Sequence, residues 1–558
     1  MGQGYSVIHP QAGSAGIDAP ELADLEYERT LSGARIFKSI RARHKDGVVV
    51  AKVYTKAYAS LKLDDRVQQL LQERRALEDV PNALPFHRII ETSTSAYLVR
   101  QWVHSSLYDR ISINPPLEDI ERKWIAFQLI CAVRDCHARG IYHGDIKTED
   151  MLLTSWNWLY LADFAAATKR HFLPEDNPVE YTLYYDTTTR RICYVAPERF
   201  SDDAEDEQGQ NRPLNWAMDM FSVGCVVAEL FTEKPTFTLS QLLRYKKGDY
   251  DPSHGLTNAI KDENIRDIVL QCLQLDPDSR FEASDILHEW QGKAFPNYFY
   301  DFLHQYTYLL TDPTSGRKPV IAESTNSGAS DDRIDRIYFD FDKISFALGL
   351  DTDETHETQT APTSNIVGPS QFPLQVDIPD NRHSAADRAG IESDNGALLF
   401  SNIVISSLRS TARASSRVRG CELLLAFGEH LTDEAKLDRV LPYAIALLED
   451  EVDTVKIAAL RTVTQLVGRV LYMCSYESSL MFYQALSCQC AITNQCLYLS
   501  PLRSPAPAKV PHESSVLQEL TGQSDLCQLH RNPGPHCRSL SRHDTGSSCR
   551  RFFAIDGS

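Results

Sequence analysis

The feature that most constrains this chain is a cluster of charged residues at positions 143–163, set between apolar runs. The cluster includes Asp145, Lys147, Asp150 and Asp163. Phosphoryl transfer needs a carboxylate that orients the attacking hydroxyl, a lysine beside the moving phosphoryl group, and oxygen ligands for Mg²⁺. We therefore predict Asp145 and Lys147 as catalytic residues, with Asp163 and Asp150 as magnesium ligands.

The order of these residues matches the pattern of protein kinases, in which a catalytic loop, a short hairpin and a metal-binding aspartate follow one another. Downstream, Glu198 ends an Ala-Pro-Glu run of the kind that closes a kinase activation segment. We expect Glu198 to pair with Arg280, and Asp219 to brace the catalytic loop from the start of a helix. The sequence thus predicts a bilobal protein-kinase fold of the α+β class over residues 26–310.

Three residues depart from the common kinase pattern: Gly144 stands in place of arginine, Asp150 in place of asparagine and Ala165 in place of glycine. Without that arginine, no guanidinium is present at position 144 to pair with a phosphorylated activation loop. Alanine at position 165 has less backbone freedom than the usual glycine. Two functions therefore stay open. One is a non-specific serine/threonine protein kinase, and the other is a nucleotide-binding pseudokinase scaffold without phosphotransfer.

A predicted small lobe precedes the cluster and holds the candidate nucleotide contacts. The stretch in place of a glycine-rich loop begins at Leu31 and has one glycine, Gly33. Lys52 lies in the apolar run Val-Val-Val-Ala-Lys-Val, typical of the strand lysine that contacts the α and β phosphates. Glu73, with Glu78 as the alternative, is expected to pair with Lys52 from the next helix. The expected cofactors are ATP, with GTP as the alternative, and Mg²⁺.

Changes in composition divide the rest of the chain. Residues 311–396 are rich in Ser, Thr, Asp and Pro, which predicts an acidic, largely disordered linker. Helical apolar spacing returns over residues 397–471 and predicts all-α, partial HEAT-type repeats. Residues 472–558 lose that spacing, which predicts an irregular, disordered tail whose seven cysteines lack the spacing of a zinc site.

Charge and the N-terminal segment bear on the partners of the chain. The formal net charge of −19 argues against nonspecific nucleic-acid binding, which relies on a basic surface. No apolar run is long enough to predict a membrane span. Within the N-terminal segment 1–25, Gly2 follows the initiator methionine and Ser6 stands at the sixth position, a pattern typical of N-myristoylation. A flexible N-terminus without the lipid is the alternative.

On these residues the chain resembles the protein-kinase-like regulatory subunits of the class III phosphatidylinositol 3-kinase, the vacuolar protein-sorting Ser/Thr kinase family. Gly144 and Ala165 agree with this family, whereas Asp150 departs from it. The most specific shared runs are Thr154-Ser155-Trp156-Asn157-Trp158, Leu173-Pro174-Glu175-Asp176-Asn177-Pro178 and Arg191-Ile192-Cys193-Tyr194.

The resemblance covers residues 1–310 and 397–471. It implies a myristoylated scaffold that holds the lipid-kinase catalytic subunit and its autophagy or endosomal adaptor subunits together. The implied location is the cytoplasmic face of endosomal, Golgi or autophagic membranes. The family also has further helical repeats and a C-terminal WD-repeat propeller, so by this comparison we expect the chain to be C-terminally truncated.

Overall fold

A computed structural model describes part of the chain. The described residues are 22–33, 36–58, 60–174, 178–185, 190–201, 213–311, 328–350 and 396–470. The predicted lipidation site Gly2 and the predicted tail 472–558 lie outside these residues. All described residues belong to one compact unit of the chain.

The small lobe is built on a five-stranded antiparallel sheet with the strand order β1-β2-β3-β6-β5. A smaller sheet, with the order β4-β9-β8-β7, lies beside the catalytic loop. The strands are Glu26–Gly33 (β1), Phe37–His44 (β2), Gly47–Thr55 (β3), Ala83–Leu84 (β4), Arg88–Glu91 (β5), Ser95–Gln101 (β6), Ser105–Ser106 (β7), Met151–Leu153 (β8) and Leu159–Ala162 (β9).

The register between β3 and β6 sets which side chains face the cleft between the lobes. The β-branched run in β3 favours a strand, and Val50 is buried in it. Lys52 is paired with Leu98, and Val50 is paired with Arg100. Because cross-strand partners and residues two apart share a face of a sheet, these four side chains lie on the same face.

Helices make up most of the large lobe and all of the region that follows it. In the kinase-like part they are Asp64–Leu77 (α1), Leu107–Ile111 (α2), Asp119–His137 (α3), Pro178–Tyr184 (α4), Trp216–Thr232 (α5), Leu239–Lys246 (α6), Ser253–Ala259 (α7), Glu263–Cys272 (α8), Ala283–Glu289 (α9) and His304–Thr311 (α10). Beyond it they are Ala329–Phe339 (α11), Phe341–Leu348 (α12), Ala397–Leu408 (α13), Ala414–Gly428 (α14), Asp433–Ala435 (α15), Leu441–Ala446 (α16) and Asp453–Val470 (α17).

One apolar core runs from the large lobe into the later helices. Trp124 and Phe127 of α3 stack on each other at 5.8 Å between ring centroids, and both contact Phe299. Phe400 of α13 stacks on Phe427 of α14 at 5.6 Å, within the same cluster of buried residues. The predicted fold class is confirmed: a kinase-like α+β part is followed by an all-α region. The HEAT-type character of that region stays a prediction.

The predicted linker needs a correction at residues 328–350, where the structure has two packed helices, α11 and α12. From its composition this stretch is predicted to belong to an acidic, largely disordered linker in which only residues 334–346 could pack. Instead, the carboxylates of Asp331 and Asp335 are fully buried. Asp331 accepts hydrogen bonds from the backbone N–H of Ala412 and Arg413, at 3.1 and 2.9 Å. These acidic side chains therefore hold α11 against the start of α14.

Two further features of the described residues concern membrane spans and cysteines. Among the described helices, none has the length and apolar character needed to cross a membrane. Six described cysteines are buried and carry free thiols: Cys131, Cys136, Cys193, Cys225, Cys272 and Cys421.

Candidate nucleotide site

Asp219 holds the backbone of the catalytic loop in place. Helix α5 begins after Asn215, whose side chain accepts a hydrogen bond from the N–H of Met218 at 3.1 Å, and this cap places Asp219 in the first turn. Its carboxylate accepts hydrogen bonds from the N–H groups of His143 and Gly144 at 2.7 and 2.8 Å. Burial opposes its charge, but hydrogen bonding and the charge of His137 outweigh that effect and lower the pKa of Asp219.

Gly144 is required by the shape of this loop. Its φ is +79°, and a Cβ at this position would lie 2.6 Å from Cδ1 of Leu214. The carbonyl of Gly144 accepts a hydrogen bond from the guanidinium of Arg199, which also donates to the carbonyl of His171 at 2.7 Å and to the hydroxyl of Tyr185. An arginine from the end of the activation segment thus braces the loop in which most kinases have their own arginine.

Two lysines converge on the candidate catalytic base. Nζ of Lys147 lies 2.8 Å from Oδ2 of Asp145, and Nζ of Lys169 forms a second ion pair with the same oxygen. Burial opposes ionisation of Asp145, yet the two ammonium groups hold its pKa well below the usual range. Lys147 also lies 3.6 Å from Asp150. In this conformation Asp145 is ionised, and both lysines contact the same carboxylate oxygen, Oδ2.

Asp163 is surrounded by cations in the same way. Nζ of Lys52 lies 3.0 Å from its Oδ2, and Arg100 donates from Nε to Oδ1 at 2.9 Å and from Nη2 to Oδ2 at 3.0 Å. Burial raises the pKa of a carboxyl group, but Arg100 and Lys52 together hold the pKa of Asp163 far below its ordinary value. The next residue, Phe164, is buried against His143, with ring centroids 4.6 Å apart.

Five candidate residues line one cavity of about 230 Å³ between the lobes, and the candidates Asp145 and Glu73 are not among its described lining residues. Lys52, Lys147, Asp150 and Asp163 supply its charged wall, and Leu31 its roof. Further lining residues are Ile36, Val50, Phe86, Leu98, Arg100, Trp102, Lys169, Leu183 and Tyr184. Gly33 ends β1 at the edge of the described residues, since residues 34–35 lie outside them. Leu183 and Tyr184 belong to α4, so the activation segment itself forms part of the wall.

Glu73 does not pair with Lys52 in this conformation. The salt bridge of Lys52 is formed with Asp163 instead, at 3.0 Å between Nζ and Oδ2. Glu73 is buried in α1, and this burial raises its pKa to about 8. Its alternative, Glu78, is the exposed C-cap of the same helix.

The predicted structural pair is formed by Glu198 and Arg280. The guanidinium donates from Nη1 to Oε1 at 2.7 Å and from Nη2 to Oε2 at 3.0 Å. Nη1 of Arg280 also donates to the carbonyl of Ala217 at 2.8 Å, and the guanidinium lies over the ring of Phe221 at 5.1 Å. The geometry ties the end of the activation segment to α5.

The sequence analysis missed Arg100, Lys169 and Arg199. A signal existed for Arg100, because it is the one charged residue in the apolar strand Ser95–Gln101. Lys169 and Arg199 carry no such signal in sequence, since charged residues are common in activation segments. The groups that Lys169 and Arg199 contact are decided by how the activation segment folds.

The donors around Asp163 decide whether Mg²⁺ fits this site. Within the described ranges, no group of three or more His, Cys, Asp or Glu side chains is arranged to hold a metal ion. Both oxygens of Asp163 already accept hydrogen bonds from Arg100, and Asp150 faces Lys147. In this conformation the residues present do not fit a magnesium ion.

The fold and the site together define a protein-kinase domain followed by a helical domain. Residues 32–290 match the family model described as "Protein kinase domain", and residues 400–483 match the model described as "PIK3R4-like, middle domain". Protein-kinase domains in general use ATP and Mg²⁺.

The particular relatives are named VPS15. The chain is 39% identical over 479 residues to "Putative serine/threonine-protein kinase VPS15" of Komagataella pastoris, a match that covers 85% of this chain and 35% of the relative. It is 35% identical over 474 residues to "Serine/threonine-protein kinase VPS15" of Saccharomyces cerevisiae, covering 80% and 32%. It is 35% identical over 504 residues to the protein of that name in Arabidopsis thaliana, covering 81% and 33%.

The chain is a homologue of the VPS15 serine/threonine-protein kinases, with their kinase domain and a PIK3R4-like middle domain. The resemblance stated from the sequence is confirmed. The chain spans about a third of the length of these curated relatives.

Proposed function

We propose that this chain is a nucleotide-binding, kinase-like regulatory subunit that scaffolds a class III phosphatidylinositol 3-kinase, with phosphotransfer held in check. The observation that carries the proposal is the state of Asp145. The nucleotide residues share one cavity, whereas the catalytic base beside it is paired with Lys147 and Lys169. Such a site can bind a nucleoside triphosphate in the cavity while its catalytic base stays paired with the two lysines.

Each side chain has a defined role in nucleotide binding. Leu31, Val50 and Leu98 give an apolar slot for a planar base, as ligand cavities usually provide. Lys52 and Lys147 reach the same cavity and neutralise charge on the phosphates. Both lysines lie near carboxylates that keep their ammonium groups in place.

A titration of the full chain with ATP and with GTP tests this function. Lys52→Met should weaken binding about tenfold, the loss expected for one charge-assisted hydrogen bond to a phosphate. Lys45→Met is the matched control, because Lys45 is exposed on the turn between β2 and β3. If neither nucleotide binds the folded chain, the proposal is wrong.

Serine/threonine phosphotransfer is the second candidate function. It is favoured by the presence of Lys52, Lys147 and Asp163 in the wall of one cavity, with Asp145 paired to Lys147, because these four are the residue set of an active kinase. Labelled ATP supplied with Mg²⁺ should then yield a phosphorylated protein product. Asp145→Ala and Asp163→Ala should each abolish the label. Nucleotide binding without transfer would leave the chain a pseudokinase scaffold.

The membrane and partner roles extend the proposal beyond the cavity. The PIK3R4-like match and the VPS15 relatives support association with a phosphatidylinositol 3-kinase complex in vacuolar and endosomal sorting. Myristoylation of Gly2 would place the complex at endosomal or autophagic membranes. Co-expression with the lipid-kinase catalytic subunit and N-myristoyltransferase, followed by vesicle flotation, tests both points. Gly2→Ala should keep the complex and lose flotation.

A further inference from the structure

Arg100 places a guanidinium where the protein kinases have a divalent ion. We propose that Arg100 supplies the counter-charge for Asp163 and the phosphates, so that this chain binds a nucleoside triphosphate without Mg²⁺. The inference rests on the proposed nucleotide binding and goes beyond it, since it assigns a role to a residue outside the kinase pattern. It also assigns the site no requirement for a divalent ion.

The strand register delivers Arg100 to the cleft. Its partner across the sheet is Val50, two residues from Lys52, so its side chain lies on the face that carries the strand lysine. The residue is 7% exposed, and Nη1 donates to the carbonyl of Gln101 at 3.2 Å. Arg100 lines the nucleotide cavity and also a second cavity, of about 500 Å³, behind the sheet. The guanidinium is therefore fixed in the wall of the site.

The hydrogen bonds of Arg100 occupy the atoms that a metal ion would use. Nε and Nη2 donate to the two different oxygens of Asp163, and Lys52 contacts one of them as well. A planar guanidinium matches a carboxylate in this bidentate way and is always charged. A magnesium ion at Asp163 would have to displace this arginine and leave it buried without its partner, which is costly.

The charges in the cavity suit a metal-free triphosphate. The lining residues include four cations, Lys52, Arg100, Lys147 and Lys169, and two carboxylates, Asp150 and Asp163. Four minus two leaves a formal surplus of two positive charges among the lining residues, and of one when Asp145, the partner of Lys147 and Lys169, is also counted. A triphosphate without Mg²⁺ is more negative than its magnesium complex, and cationic side chains with fixed geometry can neutralise it directly.

The test is nucleotide affinity with and without divalent ions. The full chain is titrated with the fluorescent probe mant-ATP in excess Mg²⁺ and in excess EDTA. For the wild-type chain, the dissociation constant in Mg²⁺ and the one in EDTA should agree within about threefold. The loss of one charged contact would change the dissociation constant by much more than this. Arg100→Met should weaken the binding of mant-ATP in EDTA by about tenfold. In Mg²⁺ the same variant should regain most of the wild-type affinity, because the arginine no longer occupies Asp163 and the ion can bind there.

Control variants separate this role from misfolding. Arg43→Met removes an exposed arginine of β2 that pairs with Glu28 on the surface, and it should behave as the wild type in both buffers. Arg100→Lys keeps the charge and loses the bidentate geometry, so it should bind in EDTA with intermediate affinity. A gain of Mg²⁺ dependence in Arg100→Met cannot come from misfolding, which only removes binding.

Three results would overturn the proposed role of Arg100. Wild-type binding that disappears in EDTA overturns the metal-free site and leaves the proposed function intact. Equal Mg²⁺ dependence of the wild type and Arg100→Met also overturns the role of the arginine. If the chain unfolds in the same transition in both buffers and yet binds mant-ATP in neither, the proposed function and this inference are refuted together.

Discussion

Arg439, in the helical region, donates a hydrogen bond at 2.9 Å to the fully buried carboxylate of Glu121 in the large lobe. The same carboxylate accepts hydrogen bonds at 2.8 Å from Asn157 and at 2.8 Å from Asn402. One acidic side chain of α3 therefore joins the catalytic-loop hairpin, α13 and the π-helix Lys436–Val440 that precedes α16. The kinase-like part and the helical region are held together by a polar contact inside their shared core.

Arg439→Met should destabilise the chain by roughly 3 kcal/mol, the lower end for breaking a buried ion pair. The amides of Asn157 and Asn402 remain to solvate Glu121, which keeps the loss from being larger. Urea unfolding followed by circular dichroism measures the effect. Arg409→Met, at an exposed arginine that ends α13, is the control and should stay within about 0.5 kcal/mol of the wild type.

A double variant makes the test of this pair sharper. Glu121→Gln combined with Arg439→Met removes both charges, so its loss should be smaller than the sum of the two single losses. Additive losses would mean that Arg439 stabilises the chain by packing and not by its pairing with Glu121.

Asp335→Ala should loosen residues 328–350 from the helical region. The buried carboxylate accepts hydrogen bonds from Arg419 at 2.7 Å and from Ser416 at 3.1 Å, and it pairs with Arg413. Removing it leaves Arg419 without this buried partner and leaves Arg413 only Asp331, at 3.7 Å, so we expect a loss of about 3 kcal/mol. Hydrogen exchange should rise across α11 and α12. Asp342→Ala changes an exposed carboxylate of α12, so exchange that rises equally in both variants would count against the packed arrangement.

The parts of this structure that could be predicted from sequence are those in which neighbours along the chain carry the information. The order Asp145, Lys147, Asp163 and the apolar strand around Lys52 are local patterns, so they indicated the kinase fold. The pairing of Arg100 with Asp163 joins positions 63 residues apart, and that of Lys169 with Asp145 joins positions 24 apart. No local pattern specifies which cation meets which carboxylate when several are near.

The acidic residues of α11 show the same limit. A run with Asp331 and Asp335 has the composition of a solvated segment, and composition alone predicts a linker. The partners that make burial of these carboxylates favourable come from positions 412–419, some 80 residues later. Burial of a charge depends on such partners, which a single stretch of sequence does not reveal.

Glu73→Gln should stabilise the chain at high pH and have little effect at low pH. Burial raises the pKa of Glu73 from 4.5 to about 8, so the folded chain holds a proton that the unfolded chain releases above pH 4.5. The contribution of Glu73 to stability is therefore complete below pH 4.5 and is lost as the pH rises towards 8. Glutamine imitates the protonated form and should be more stable than the wild type by about 2–4 kcal/mol at pH 8.

Thermal unfolding at pH 5 and pH 8 measures this difference. Glu78→Gln is the matched control, because Glu78 ends the same helix in an exposed position. A stabilisation by Glu73→Gln that is the same at both pH values would show that the carboxyl group does not titrate between them.

Lys169→Met should increase phosphotransfer, because the ion pair of Lys169 covers the catalytic carboxylate. With Lys169 removed, Asp145 keeps its contact with Lys147 at 2.8 Å and has one side open to a substrate hydroxyl. The ammonium of Lys169 also lies over the ring of Tyr185 at 5.1 Å, so the variant loses this contact with the activation segment as well. We expect the rate of label transfer from ATP to rise about tenfold, the effect of about 1.4 kcal/mol on the barrier. The double variant Lys169→Met with Asp145→Ala should have no activity, which assigns the gain to this base. An unchanged or lower rate in Lys169→Met, with ATP still bound, would show that Lys169 does not restrain Asp145.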